Sequence, residues 1–148
     1  MNRLRDMVAL VIGGSGGIGG EIARGFAAEG ARIGIAGRTL EKVDAAVNAI
    51  RAAGGEAAGH AGELSGAQDC GAAVGAIVAA FGRIDILVNS QGVNVLKAAA
   101  DVAEEEFIFV GRNRCRQFAR CSESTRSEYP FAAKNNRSRI HSSTFTRQ

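Results

Sequence analysis

A glycine-rich stretch near the N-terminus, IGGSGGIGG, has the composition of a loop that binds phosphate groups. Glycines allow backbone N–H groups to approach a pyrophosphate closely, and a helix that begins after the loop adds partial positive charge. Gly14, Gly16 and Gly19 satisfy the spacing GxGxxG. Gly13, Gly17 and Gly19 satisfy GxxxGxG. Glycine content alone therefore leaves the spacing open, and it also leaves open a flexible loop that binds no ligand.

The only tyrosine, Tyr129, stands five residues before Lys134 and raises the question of acid–base chemistry. A lysine four residues after a tyrosine lies on the same helix face, where its ammonium lowers the pKa of the phenol. At a spacing of five, the two side chains are rotated about 140° apart, at roughly 100° per residue. Pro130 allows a helix only if Tyr129 caps it. The spacing therefore does not support a catalytic pair.

The residues before the tail alternate between strand and helix patterns. MVALVI predicts a first strand, and the apolar spacing in GIGGEIARGFAAEG predicts a helix that Gly30 ends. ARIGIAG predicts a second strand, and EAAGHAGEL a weaker third strand. SGAQDCGAAVGAIVAAFG predicts a further helix, and RIDILVNSQG a fourth strand. This βαβαβαβ order predicts an α/β fold with a parallel sheet, right-handed crossovers and ligands at the carboxyl ends of the strands.

The helix between the second and third strands has the clearest amphipathic pattern. Its sequence is TLEKVDAAVNAIRAAGG, and we expect Thr39 to cap it. Four apolar side chains recur on one face of this predicted helix: Leu40, Val43, Val47 and Ile50. That face is expected to pack on the sheet.

Composition and charge indicate a globular chain with two parts. The 148 residues include 46% hydrophobic residues and 20 glycines, no run is long enough to span a membrane, and no cleavage-site pattern follows the N-terminus. We therefore expect a cytoplasmic protein. Three cysteines without CxxC spacing and two histidines support neither a disulfide framework nor a metal site. Residues 1–111 carry 9 Lys and Arg against 13 Asp and Glu, whereas residues 112–148 carry 9 against 2.

Four short motifs follow the predicted strands: LVIGGSGGIG, IAGR, GEL and DILVNSQG. In this combination the chain resembles the cofactor-binding half of the short-chain dehydrogenase/reductase family, from about residue 7 to residue 109. The resemblance implies a truncated Rossmann-type doubly wound parallel sheet in three αβα layers, with a dinucleotide bound at the motifs. The cofactor-binding residues that it implies are Gly13, Ser15, Gly16, Gly17, Ile18, Gly19, Arg38, Glu63, Leu64, Asn89, Ser90 and Gly92.

Three departures from the family pattern bear on binding. Ile12 stands where the family has a threonine that braces the turn, and Glu63 is one methylene longer than the usual aspartate beside the adenine. Gln91 replaces a small alanine near the expected path of the nicotinamide ribose. We expect weakened or adjusted binding at these positions, not its loss.

Cofactor choice depends on the end of the second strand, where Gly37 is followed by Arg38. A carboxylate at this position would bind the ribose 2′-hydroxyl and repel a 2′-phosphate, whereas a guanidinium suits the phosphate. The sequence therefore favours NADP(H) over NAD(H). The alternative is that Arg38 is an ordinary solvated charge.

The catalytic half of the family is not recognisable in this chain. The family reaction moves a hydride between the nicotinamide and a carbonyl or alcohol substrate, and it uses a serine, an asparagine and a tyrosine and lysine in a YxxxK motif. Asn113 lies near the position of the asparagine, and SRIHSS faintly resembles the fifth strand with Ser142 or Ser143 as the serine. The chain ends before a YxxxK would follow. Tyr129 and Lys134 are therefore interpreted as an accidental pair, and the chain as not catalytically competent.

We divide the chain into residues 1–110, an NADP(H)-binding Rossmann domain, and residues 111–148, a basic tail rich in arginine and serine. A reading-frame shift or a disordered tail would both explain the change of composition. A different class of function is a non-catalytic dinucleotide-binding module whose eight tail arginines contact nucleic acid. An intact relative is expected to be a dimer or tetramer that acts on a small carbonyl or alcohol substrate, away from membranes.

Overall fold

Five strands and three helices form the described structure, a computed structural model that places residues 2–64, 66–92 and 105 and the backbone of 139–142. The strands are β1 (Val8–Ile12), β2 (Arg32–Gly37), β3 (Ala57–Ala61), β4 (Ile86–Asn89) and β5 (Arg139–Ser142). The helices are α1 (Gly17–Ala28), α2 (Leu40–Ala52) and α3 (Ala67–Phe81). Each strand and helix predicted between residues 7 and 92 is present, with ends that differ by a few residues.

The strands form one parallel sheet in the order β3-β2-β1-β4-β5. The chain builds the sheet outward from β1 to β3, and then crosses back to place β4 on the other side of β1. The strand order therefore reverses between β1 and β4. In open α/β sheets, ligands bind at the carboxyl ends of the strands beside such a switch point. The predicted doubly wound sheet is confirmed.

Both faces of the sheet are covered, which explains why β1 is apolar along its whole length. Successive strand side chains point to opposite faces. Leu10 belongs to the core beneath α3, together with Val74 and Ile77. Val11 belongs to the core beneath α1 and α2, together with Val47. All five residues of β1 are buried, and the fold has three layers.

β1 and β4 are joined at both ends by hydrogen bonds. At the start of the strands, the Val8 N–H donates to Asp85 Oδ2 at 2.9 Å, and the Asp85 N–H donates to the Val8 carbonyl at 2.8 Å. At their end, the Ser90 N–H donates to the Ile12 carbonyl at 2.9 Å. These bonds fix the register of the strands, so that the loop after β4 lies beside the loop after β1.

β5 comes from the basic tail and pairs in parallel with β4. Ser142 is in register with Asn89, so the end of β5 lies at the carboxyl edge of the sheet. The predicted fifth strand in SRIHSS is present. The division of the chain at residue 110 stays a prediction, and Asn113, Tyr129 and Lys134 lie outside the described residues.

Candidate cofactor site

The glycine loop begins in a tight turn at the end of β1. The Gly13 N–H donates to the Ala36 carbonyl of β2 at 2.7 Å, and the backbone of Gly13 has a positive φ of 77°. A Cβ at this position would lie 3.1 Å from the carbonyl oxygen of Ser90 and from the nitrogen of Gln91. Glycine therefore supplies both the left-handed conformation and the close approach to the loop after β4.

Two further glycines decide between the possible spacings of the motif. Gly17 has a φ of 54°, which disfavours residues with a Cβ. A Cβ on Gly19 would lie only 2.3 Å from the carbonyl oxygen of Gly13. By contrast, Gly16 has an extended φ of 174° and no neighbouring atom within 4 Å of a Cβ. The structure therefore requires glycine at the three positions of GxxxGxG. Gly14 is also tightly packed. Gly16, the middle glycine of GxGxxG, is not required to be glycine.

The space beside the loop has the properties of an anion site. A Cβ on Gly16 or Gly17 would meet no described atom within 4 Å, so ligand atoms have room to approach the backbone. α1 begins at Gly17 and has no acidic residue in its first turn. The partial positive charge of the helix N-terminus is therefore not compensated by its own side chains. A phosphate group fits both the space and the charge.

The end of β2 supplies an exposed cation next to this loop. The Ser15 hydroxyl oxygen lies 3.0 Å from the position of a Cβ on Gly37, so the loop packs against the last residue of β2. Arg38 follows and is exposed. Within the described part of the chain, its guanidinium makes no ion pair. The fold thus brings Ser15 against Gly37, the residue before Arg38, although Ser15 and Gly37 are distant in sequence.

Thr39 occupies the N-cap position of α2, as expected, but its hydroxyl makes no capping hydrogen bond. The predicted cap is correct in position and wrong in mechanism. The first turn of α2 contains Glu41, which complements the positive end of the helix.

The two residues after β3 have different environments. Glu63 is exposed at the carboxyl edge, where a carboxylate is accessible to a ligand. Leu64 is fully buried in the core beneath α3, so its side chain cannot contact a ligand. Any role of Leu64 in binding must use its backbone. The Gly62 N–H donates to the Gly37 carbonyl at 2.9 Å and holds this segment against the end of β2.

The loop after β4 closes the other side of the site. Asn89 is buried, and its Oδ1 accepts a hydrogen bond from the Gln91 N–H at 3.2 Å. Ser90 packs beside α1, where its Cβ lies 3.1 Å from the position of a Cβ on Gly19. Gly92 is exposed. The loop therefore forms one wall of a site whose floor is the glycine turn.

Ile12 does not leave the turn without support, although it replaces the threonine of the family pattern. Its side chain is fully buried in the core beneath α3, beside Leu10 and Leu64. The turn is held by the backbone bonds from Gly13 to Ala36 and from Ser90 to Ile12. The missing hydroxyl is thus replaced by packing and by main-chain contacts.

Two apolar side chains at the site are exposed, which sequence periodicity did not predict. Ile18 is 72% exposed and Leu40 is 56% exposed, although Leu40 was expected on the helix face that packs on the sheet. Each lies in the first turn of its helix, and both helices begin at the carboxyl edge of the sheet. These helix starts extend beyond the strands, so their apolar faces border the site instead of the core. Ile18 was a predicted binding residue, whereas Leu40 was missed.

The described residues contain no group of three or more His, Cys, Asp or Glu that could hold a metal ion. Within the same ranges, no helix has the length and apolar composition needed to cross a membrane.

Comparisons with known proteins agree with this geometry. The short chain dehydrogenase family model matches residues 7–110. A peroxisomal 2,4-dienoyl-CoA reductase of Arabidopsis thaliana is 41% identical over 104 residues, which are 70% of this chain and 35% of the reductase. The short-chain reductase protein NovJ of Streptomyces niveus is 40% identical over 103 residues, 70% of this chain and 39% of that protein. The chain thus spans well under half the length of these curated relatives.

Solved structures show the same relationship. A variant of the actinorhodin polyketide ketoreductase, determined with NADPH, superposes with a TM-score of 0.81 and 30% identity, and covers 92% of this chain and 52% of the ketoreductase. A short chain dehydrogenase from Burkholderia cenocepacia in complex with NADP gives a TM-score of 0.73 and 32% identity, over 84% of this chain and 51% of that chain. The motifs, the sheet order, the glycine turn and the family match all lead to one conclusion: this chain belongs to the short-chain dehydrogenase family.

Proposed function

We propose that the carboxyl edge of the sheet binds NADP(H), and that the chain is the cofactor-binding part of an oxidoreductase that transfers a hydride between NADP(H) and a carbonyl or alcohol substrate. The glycine turn carries this proposal. It combines the three required glycines with open space at Gly16 and Gly17 and with a helix N-terminus that lacks acidic residues. This arrangement suits the pyrophosphate of a dinucleotide.

The surrounding residues are assigned to the other parts of the cofactor by their places around the loop. Arg38 follows Gly37, which packs against Ser15, and we assign its guanidinium to the 2′-phosphate of the adenosine half. Glu63 and the backbone of Leu64 border the space for the adenine. The loop of Asn89, Ser90 and Gly92 lies on the opposite side, toward the nicotinamide ribose. When bound, the cofactor supplies or accepts the hydride, and the residues of this chain bind and orient it.

Arg38 is the basis for choosing NADP(H) over NAD(H). Its side chain is exposed, and no ion pair within the described residues competes for it. No carboxylate follows β2 to bind a free 2′-hydroxyl, because Gly37 and Arg38 occupy that position. The ketoreductase with NADPH and the dehydrogenase with NADP support this choice.

We further propose that the 148-residue chain binds the cofactor without turning over a substrate. A general acid–base tyrosine beside a lysine is needed for the family reaction, and the spacing of Tyr129 and Lys134 does not provide one. Ser142 or Ser143 is the candidate for the serine that polarises a substrate. Ser142 is in register with Asn89 and so lies at the carboxyl edge of the sheet, which supports its assignment as this serine.

Two further expectations, which concern the whole protein, are also proposals. They include a cytoplasmic location and a homo-oligomeric intact relative. Nucleic-acid binding by the tail is the less favoured alternative, because residues 139–142 of the tail are part of the sheet. Salt-dependent retention of the chain on DNA would support that alternative.

Titration with NADPH and with NADH tests the proposal. We expect tighter binding of NADPH, and we expect Arg38→Asp to reverse or abolish the preference by about 1–3 kcal/mol, the scale of charge-assisted hydrogen bonds. Arg5→Asp is the matched control. Arg5 is also exposed, but it precedes β1 and so lies at the opposite edge of the sheet. Equal affinity of the parent chain for both cofactors, or an equal loss in both variants, would contradict the assignment of Arg38.

A further inference from the structure

The outer side of β3 is an open edge of the described sheet. Within the described residues, β3 is the terminal strand, and β2 is the only strand beside it. In a parallel pair, the N–H and C=O of a residue point to the same side of its strand, and successive residues alternate. The Ile33 N–H of β2 donates to the Glu56 carbonyl at 2.9 Å, so the even-numbered residues face β2. Three residues therefore turn their backbone groups outward: Ala57, Gly59 and Ala61.

The side chains of β3 give this edge little protection. The strand reads AAGHA and contains no proline, lysine or acidic residue. Natural proteins commonly protect edge strands with charges, prolines or bulges, because unpaired backbone groups accept strands from other molecules. Small side chains also allow a second strand to approach closely. Protection must therefore come from another element.

Arg51, in the last turn of α2, provides that protection. Its guanidinium donates two hydrogen bonds to the outward carbonyl of Ala57, from Nε at 3.0 Å and from Nη2 at 2.8 Å. It makes no ion pair with a carboxylate of the described residues, so its full charge remains at the edge. An incoming strand would have to displace two charge-assisted bonds and pack against a cation.

We propose that Arg51 guards the edge of β3 against strand addition by a second copy of the chain. Two copies present the same edge to each other. Related by a twofold axis, two β3 strands would pair antiparallel and exchange hydrogen bonds at their outward residues. The second copy is thus complementary to this edge without any further partner.

The substitution Arg51→Met tests whether Arg51 prevents strand addition at β3, because it keeps most of the aliphatic side chain and removes the donors and the charge. Size-exclusion chromatography with light scattering, over a range of concentrations of the full chain, measures association beyond the oligomeric state of the parent. We expect self-association to tighten by about tenfold, the change that one or two ladder hydrogen bonds of ordinary net strength produce. Arg83→Met is the matched control, since Arg83 pairs with Asp85 and not with a carbonyl of β3.

A second substitution separates edge pairing from general destabilisation. Ala61→Pro removes an outward N–H, which costs no bond to β2. The double variant Arg51→Met/Ala61→Pro is therefore expected to return to the association of the parent. Association of Arg51→Met no tighter than that of the parent, or continued association of the double variant, would overturn the proposal. If circular dichroism shows Arg51→Met to be unfolded, Arg51→Gln, which also removes the charge, is measured alone and with Ala61→Pro and is judged by the same two criteria.

Discussion

Replacing Gly19 with alanine is the most direct perturbation of the cofactor site. The new Cβ would lie 2.3 Å from the carbonyl oxygen of Gly13, where contacts below 3.0 Å are essentially never seen. The two groups must separate by at least 0.7 Å, the difference between these distances. Both belong to the backbone, so the start of α1 must move away from the end of β1.

The expected cost follows from this displacement. Overpacking of a close contact costs about 1–3 kcal/mol. Alanine regains up to about 1 kcal/mol relative to glycine inside a helix. We therefore expect Gly19→Ala to lower the free energy of unfolding by up to about 3 kcal/mol. We also expect weaker NADPH binding, since the amides at the helix start shift away from the pyrophosphate.

Two neighbouring glycines provide matched controls. Gly16→Ala meets no atom within 4 Å and needs no positive φ, so its unfolding free energy should stay within about 0.5 kcal/mol of the parent. Gly17→Ala meets no atom but retains a φ of 54°, which costs about 1–2 kcal/mol for a residue with a Cβ. Urea denaturation followed by circular dichroism measures all three variants. If Gly16→Ala is the most destabilising, the loop follows GxGxxG and the geometry described here is refuted.

Three remaining predictions concern the bond between Asp85 and β1, the N-terminal segment and the tail. Asp85→Ala should lower the free energy of unfolding by about 1.5–3 kcal/mol, measured by urea denaturation, because the Val8 N–H loses a charged acceptor; an unchanged value would show that water replaces this bond. Hydrogen bonds from Arg3 lower the pKa of Glu29, so their stabilising effect is present at neutral pH and is lost as the pH falls through the lowered pKa. Thermal melts of the parent and of Glu29→Gln should therefore converge in acid, and a constant difference would contradict this linkage. Oxidation of NADPH with a panel of ketones and aldehydes should stay at the rate without enzyme, and Tyr129→Phe should not change it; turnover that the substitution abolishes would show that Tyr129 is catalytic.

The sequence was sufficient for the elements and for their parallel arrangement, because both follow from local patterns. The apolar run of β1 indicates a strand covered on both faces, and short connections indicate a parallel sheet. The choice between Gly16 and Gly17 as the middle glycine could not be made in this way. It depends on backbone dihedral angles and on the contact of Gly19 with Gly13, which lie in the folded loop.

The errors of the sequence interpretation also have a physical cause. Periodicity identifies the apolar face of a helix but not the point at which the helix extends past the sheet, so Leu40 was expected to be buried and is exposed. The motif places Leu64 among the predicted cofactor-binding residues; its side chain completes the core, so this prediction now concerns its backbone. The bonds of Arg51 to Ala57 depend on the path of the chain between α2 and β3, which no sequence pattern specified.

The position of β1 in the centre of the sheet has a consequence for synthesis of the chain. One neighbour, β2, follows β1 closely, but the contact from Val8 to Asp85 spans 77 residues. At roughly 5–20 residues per second, a ribosome needs about 4–15 s to make the intervening chain. During that interval, the backbone N–H and C=O groups on one side of the apolar strand β1 have no partner strand. The stability of β1 in the nascent chain therefore depends on β4, which is made last among the first four strands.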